Sequence, residues 1–393
     1  MLEHLRIIEL GQVIAGTVGG MILADLGAEV IKVERPGGGD PGRRAAVYGM
    51  GERSAIHLTF NRNKKSIAID LKRPEGREVL CDLVRHADAV VENFRPGVLT
   101  RLGVDFEQLR TYNEDLILVS VSGFGSDSPY GGLPAYDLIM QAMSGHMSIM
   151  GEPGRPPVIM GIPLADIVAG VYSTIAVLAG IEARRAGGGG AHFDMAMLDV
   201  MLAMLAHVGT LHLNTGREQE PQGSAHPFIT PWQAFRCADD RYVVVAPREQ
   251  HFWTRLVEVL GVPELSRPEY DDAISRHEHR GELLPTLEAA FEQKSADAWI
   301  ELLRGAGVPV APVNKMADIF SDPHTKQRLM VQAYELGGDE IRVVGNPVRL
   351  ENEALAAPDP APPVGADTDV VLGELLGYGD DAIAALRETG VVN

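Results

Sequence analysis

The chain has 393 residues, and 35 Lys+Arg against 54 Asp+Glu give a formal net charge of −19. At 45% hydrophobic and 23% charged residues it has the composition of a compact folded protein, and its acidity excludes broad nucleic-acid binding, which needs clustered cations to neutralise phosphates. Two cysteines, Cys81 and Cys237, exclude a disulfide framework and point to a reducing, cytoplasmic setting.

In chain order, Met1-Leu-Glu-His-Leu-Arg6 lacks the basic and apolar regions of a signal peptide. Residues 6–10 read as a strand, Thr17 to Leu26 as a helix stopping near Gly27, and Glu29 to Val33 as a second strand. Helix 75–86 leads into strand Ala89 to Asn93, and helix 105–112 into strand Leu116 to Val121. This alternation predicts a parallel sheet covered on both faces, with ligands bound beyond the carboxyl ends of its strands. Those ends fall at 11–16, 34–40, 93–97 and 122–125. From Tyr136 to about Leu213 the pattern is mostly helical. The apolar run Ile167 to Ile181 is shorter than the ~20 residues of a membrane span. The run Met195 to Leu213 is interrupted by Asp199 and His207, so both read as buried helices and no membrane partner is expected. The polar stretch Asn214 to Pro231 reads as a linker. A further unit follows, with strand Tyr242 to Val245, helices near 250–260, 281–294 and 297–305, and the closing segment Val308 to Val313. A proline-rich loop, Ala356 to Val364, precedes two helices near 369–376 and 379–388.

Charge is unevenly placed. Residues 1–110 hold 16 Lys+Arg and 15 Asp+Glu, so the acidic excess lies beyond them and an anionic ligand is best sought in the first 110 residues. Arg35, Lys64, Lys65, Lys72 and Arg101 are candidate phosphate contacts near strand ends. The segment Arg35-Pro-Gly-Gly-Gly-Asp40 follows a strand but matches neither a P-loop nor a dinucleotide fingerprint, leaving a plain loop or a phosphate cradle. The missing fingerprint argues against a nicotinamide-dependent oxidoreductase. No metal motif is present, and His192, Asp194, His277 and His279 read as ordinary surface or core residues. Ser144 lacks the first glycine of a hydrolase nucleophile elbow. Asp166, in Gly161-Ile-Pro-Leu-Ala-Asp-Ile-Val-Ala-Gly170, starts an apolar helix. It suits either a helix N-cap or, kept ionised by the helix N-terminus, a nucleophile toward an activated acyl group.

Five segments in order carry a resemblance: Leu26-Gly-Ala-Glu-Val-Ile-Lys-Val-Glu-Arg-Pro36, Asn61-Arg-Asn-Lys-Lys-Ser-Ile-Ala-Ile-Asp-Leu-Lys72, Val91-Glu-Asn-Phe-Arg-Pro-Gly-Val-Leu99, Tyr136-Asp-Leu-Ile-Met-Gln-Ala-Met-Ser-Gly145 and Leu164-Ala-Asp166. Together they resemble the family III coenzyme A transferases, a group that also takes in formyl-CoA and carnitine CoA-transferases and α-methylacyl-CoA racemases. The resemblance implies an α/β fold: a Rossmann-like large domain over 1–213, completed by about 330–393, and a smaller α/β domain over 232–315. The linkers would be 214–231 and 316–329, and the assembly an interlocked, ring-threaded homodimer. It implies an acyl-CoA:carboxylate CoA-transferase with Asp166 as nucleophile, coenzyme A as substrate and no permanently bound cofactor or metal. By the same resemblance Gln12, Ala15, Arg35, Ile69, Lys72, Asn93, Phe94, Arg95, Arg101, Tyr136 and Asp137 are CoA-binding positions. The racemases have His where this chain has Tyr136, and a phenol of pKa ~10 is a poor proton acceptor, which favours transfer over racemisation. The stretch Ala246 to Trp253 lacks the glycine-rich loop of the oxalate-binding enzymes, which argues against oxalate as acceptor.

Overall fold

The computed structural model describes residues 1–44, 49–50, 53–351 and 357–393; Ala356, the first residue of the proline-rich loop, lies outside them. The chain divides into two compact units. The first comprises Met1–Gly145, Met160–Gly209 and Lys326–Asn393, and the second His146–Ile159 and Thr210–Thr325. The stretch expected as a linker, 214–231, belongs to the second unit, together with 146–159.

In the first unit six strands form one sheet: β1 Arg6–Glu9, β2 Glu29–Glu34, β3 Lys64–Ala68, β4 Ala89–Glu92, β5 Ile117–Ser122 and β6 Ala191–Ala196. Their order is β3-β2-β1-β4-β5-β6, and every neighbouring pair is parallel. The central strands carry apolar residues on both sides because both faces are covered. Ile8, Ile31, Ile67, Val90 and Leu118 face one layer, which contains helix α2 (Pro74–Arg85) and the C-terminal residues Val371, Leu372, Ile383, Val391 and Val392. Ile7, Val30, Val91 and Val119 face the other, with α1 (Val18–Asp25), α4 (Leu164–Arg185) and α5 (Met197–Met204). Helix α2 forms where Pro74 opens the first turn, Glu75 meets its positive end and Arg85 its negative end, while Val79, Leu80, Leu83 and Val84 make one buried stripe. Helix α3 (Asp137–Met143) packs beside α4. By length and composition α4 is apolar enough to cross a bilayer, but its Ala165, Ala169, Ala176, Val177 and Ile181 are buried against the sheet layer.

Two sheet strands depart from the expected pattern. β3 begins at Lys64, so this basic residue lies at the amino end of a strand and not at a ligand-facing edge. Lys64 is fully buried with Nζ 2.7 and 2.8 Å from the carboxylate oxygens of Glu9, and Lys65 pairs with Glu29 at 2.6 Å. Lys64 is therefore not available for a phosphate. β6 lies inside the segment expected to be helical. Its alternation of outward His192 and Asp194 with inward Phe193 and Met195 is a period of two, hidden by the apolar stretches on either side. A hairpin, β10 Val331–Leu336 with β11 Asp339–Val344, is also present after the second unit.

The second unit is a smaller α/β body. Antiparallel strands β7 Gln233–Arg236, β8 Tyr242–Val245 and β9 Val310–Pro312 run in the order β9-β8-β7. They pack with α6 (Gln250–Leu260), α7 (Arg280–Phe291) and α8 (Ala296–Gly305) around Phe235, Trp253, Phe291 and Trp299. The last helix of the chain is α9, Asp380–Glu388.

Gly20 of α1 passes directly over the buried Glu9. A Cβ there would stand 1.8 Å from Glu9 Oε2, with Lys64 Nζ next to it. Gly20→Ala should therefore destabilise the protein by about 1–3 kcal/mol, read as a lower denaturant midpoint with an unchanged slope.

Candidate active site

Three strand ends and three helix starts enclose a cavity of about 340 Å³ in the first unit. Gln12–Ala15 follow β1, Asn93–Pro96 follow β4, and Val121–Phe124 run off the end of β5; Tyr136, Asp137, Asp166 and Met197 are also in the wall. This is the carboxyl edge of the parallel sheet, where such folds bind ligands. The first two loops are stitched together. Gln12 N donates to Asn93 Oδ1 at 2.8 Å, and Asn93 Nδ2 donates to Gln12 O at 3.0 Å. From β4, the buried Glu92 accepts a hydrogen bond from Phe94 N at 2.6 Å.

Asp166 is the third residue of α4, and it does not cap that helix. Pro163 occupies the N-cap position, and the carboxylate that accepts from the helix start belongs to α3: Ala165 N donates to Asp137 Oδ1 at 2.7 Å. Asp137 Oδ2 accepts from Gln141 Nε2 at 2.6 Å, and Gln141 Oε1 accepts from Met160 N at 2.9 Å, so Asp137 is held at both oxygens. With the backbone donor satisfied by its neighbour, the carboxylate of Asp166 takes part in none of the hydrogen bonds found among the described residues. Burial, and then the negative charge of Asp137, push its pKa up to about 7. This corrects the expectation of a carboxylate kept ionised by the helix N-terminus: the dipole acts in that direction, but desolvation and a like charge outweigh it. The result is a partly buried carboxyl, poised near neutrality in a cavity wall, which is the pattern of a reacting group.

Of the positions expected to bind CoA, Gln12, Ala15, Asn93, Phe94, Arg95, Tyr136 and Asp137 line this cavity with Asp166. Arg35, Lys72 and Arg101 do not; they are exposed residues outside it, and Arg35 Nε donates to Gly39 O at 3.0 Å. Ile69 does not line it either. Its side chain is 1% exposed, packed in the core beneath the C-terminal residues, which a ligand-lining role for that side chain does not fit. Sequence reasoning missed Val13, Phe124 and Met197. Phe124 sits in a strand-end segment that was recognised, whereas Met197 follows β6, the strand that was not. Among the described residues no group of three or more His, Cys, Asp or Glu side chains is placed to hold a metal ion.

The model of CoA-transferase family III matches residues 2–368. The chain belongs to that family. It is a CoA-transferase. It is similar to a human protein named succinyl-CoA:glutarate CoA-transferase, 36% identical over 396 residues that cover 100% of this chain and 90% of the relative. It is also similar to an Acetobacter aceti protein named acetyl-CoA:oxalate CoA-transferase, 37% identical over 350 residues and 88% of each. Among solved structures, a CaiB/BaiF family protein from Brucella suis superposes with a TM-score of 0.84 at 35% identity, covering 94% of this chain and 98% of that one.

In this CoA-transferase the raised pKa of Asp166 also bears on stability. The folded protein keeps Asp166 protonated up to about pH 7, the unfolded chain only to about pH 3.9. The stability this contributes is full below about pH 4 and is lost as pH rises through 7. Asp166→Asn should accordingly be more stable than the native protein at pH 8, by about 1–3 kcal/mol after discounting for partial exposure, with the advantage shrinking toward pH 4. Thermal melts of both proteins across that range measure it.

Proposed function

We propose that this CoA-transferase moves CoA between two carboxylic acids through a thioester formed on Asp166. The observation that carries the reading is the carboxylate of Asp166, unbonded and shifted to about 7 in the cavity wall. Such a group is more basic, and so more nucleophilic, than an ordinary aspartate, yet it is substantially ionised at neutral pH. The Asp166 carboxylate attacks the thioester carbonyl of the donor; the C–S bond breaks, and CoA leaves as thiolate beside a mixed anhydride. The thiolate attacks the aspartyl carbonyl and expels the donor acid as its carboxylate. The acceptor carboxylate then attacks the aspartyl thioester, releasing the thiolate and forming a second anhydride. Attack of the thiolate on the acceptor's carbonyl yields the new acyl-CoA and returns Asp166 as carboxylate. No oxidant and no net proton are needed, and the thioester's energy is carried through each step. Coenzyme A is a substrate here, and the scheme uses no resident cofactor.

Gln12, Ala15, Asn93, Phe94, Arg95, Tyr136 and Asp137 would flank the acyl and pantetheine part of the substrate, with the exposed Arg35, Lys72 and Arg101 as contacts for its phosphates. Small dicarboxylic acids are the proposed donor and acceptor class, supported by the names of the relatives and by a basic residue, Arg95, in the cavity lining. The missing glycine-rich loop argues against oxalate, while a relative named for oxalate is 37% identical, so oxalate belongs in the acceptor panel with succinate and glutarate.

The working assembly is proposed to be a ring-threaded homodimer. Exposed apolar side chains on three helices of the first unit support a covered surface: Leu138, Ile139 and Met143 on α3, Val171 and Ile175 on α4, and Leu202 and Met204 on α5. Light scattering should give twice the 42.4 kDa of one chain. A cytoplasmic setting is proposed from the two cysteines, each buried and unbridged.

Asp166→Ala should lower transfer from succinyl-CoA by at least about 10³-fold, and hydroxylamine or borohydride trapping during turnover should modify Asp166 in the native protein alone. Full activity in that variant would overturn the mechanism. Because the nucleophile must be ionised, kcat/KM should rise with pH through about 7 and then level. Asp137→Asn, which removes the like charge, should move that limb to lower pH.

A further inference from the structure

The glycine-rich turn after β2 returns a carboxylate to the floor of the active-site loop. Gly37 and Gly39 take φ of 75° and 62°, values that side-chain-bearing residues rarely adopt, and the reversal they allow puts Asp40 beneath residues 11–13. Asp40 is 3% exposed. Both its carboxylate oxygens accept from Val13 N, at 3.0 and 3.1 Å, and Oδ1 also accepts from Gly42 N at 2.7 Å. Its counter-ion is the buried Lys32 on β2, with Nζ 2.9 Å from Asp40 Oδ2, 3.2 Å from Glu9 Oε1 and donating to Gly11 O at 2.7 Å. One buried ion pair therefore holds the carbonyl on one side of Gln12 and the N–H on the other. Gln12's own N–H and carbonyl are held by Asn93.

Between these anchors Val13 sits at φ 60°, in the left-handed region, where a β-branched residue is a rare outlier kept only by its surroundings. Val13 lines the cavity and is 38% exposed, so its own packing does not account for the conformation. Buried charges are a poor way to gain stability, since apolar residues of similar volume generally do as well. What charges can do that apolar residues cannot is grip backbone N–H and carbonyl groups in a set direction.

We propose that Lys32 and Asp40 are positioning residues of the transfer site, gripping Gly11 and Val13 so that Gln12 and a strained Val13 form a rigid wall against the CoA thioester. The inference rests on the transfer reading above and adds to it the residues that shape the thioester-binding loop from behind.

The test is a coupled pair of substitutions, with steady-state kinetics on succinyl-CoA. Asp40→Asn should raise KM for the thioester about tenfold while kcat changes less than threefold. Glycine takes the left-handed conformation without being held, so Asp40→Asn made in the Val13→Gly background should raise KM less than threefold relative to Val13→Gly alone. An equal rise in both backgrounds, or none in either, would overturn the proposal. Should Asp40→Asn fail to fold, hydrogen exchange on the native, unliganded protein decides: the Val13 amide should exchange at least a hundredfold more slowly than in an unfolded chain, and free exchange would refute the grip. The two readings fail separately. Transfer that survives Asp166→Ala removes the aspartyl route and leaves the KM coupling to stand or fall by itself, whereas absent coupling with intact Asp166 dependence removes only the positioning pair.

Discussion

The first unit is organised around a carboxylate in its core. Glu9, at the end of the central strand β1, is fully buried and binds the ammonium groups of Lys32 from β2 and Lys64 from β3. Around it, Glu34 pairs with Arg43 and Asp40 with Lys32, so in this cluster three carboxylates face three cations. An unmatched charge at such depth would cost several kcal/mol. That constraint explains otherwise unrelated features: Gly20, because any side chain would strike Glu9; the basic start of β3; and the glycine-rich return that carries Asp40 inward. The cavity loop lies immediately above this cluster, so the sheet's electrostatic balance and the shape of the site are the same problem.

At the other side of the cavity two aspartates divide the work that one might have done. A helix start offers unpaired N–H groups, and the nearest acid usually takes them. Here Asp137, fastened by Gln141, accepts from Ala165 and spares Asp166. Asp137 then acts on Asp166 by charge alone. Satisfied geometry at one carboxylate produces chemical readiness at the other, and the protein accepts a less stable ionised state at Asp166 as the cost of that readiness.

Much of this was legible in the sequence. The alternation of β1, β2, β4 and β5 with helices is written in apolar runs separated by glycine, and it placed three of the loops that line the cavity. Asp166 stood out because an acid opens an otherwise apolar helix. The role of Asp137 did not, since its bond to Ala165 joins residues 28 positions apart and no local pattern encodes it. Lys64 reads as a surface cation because a buried lysine is credible only once its carboxylate partner, 55 residues away, is known. β6 escaped for a related reason. An edge strand whose one face carries His192 and Asp194 looks polar until its parallel partner β5 is in view. Ile69 shows the converse limit: a position matched by resemblance to a ligand-lining site holds a side chain that points into the core.

The closing residues of the chain add one more element. Val391 and Val392 are buried in the layer under β1, β2 and β3; Asp70 N donates to Val391 O at 2.8 Å, and Ile69 bridges to Val392. The second unit, ending at Thr325, has all of its chain before these residues are synthesised. On the ribosome the order of completion is therefore inverted with respect to the sequence. The unit inserted in the middle can settle first, while part of one face of the sheet begun at Arg6 stays uncovered until Val391 and Val392 have been made. Until then the strands that will carry the cavity leave apolar surface without its cover.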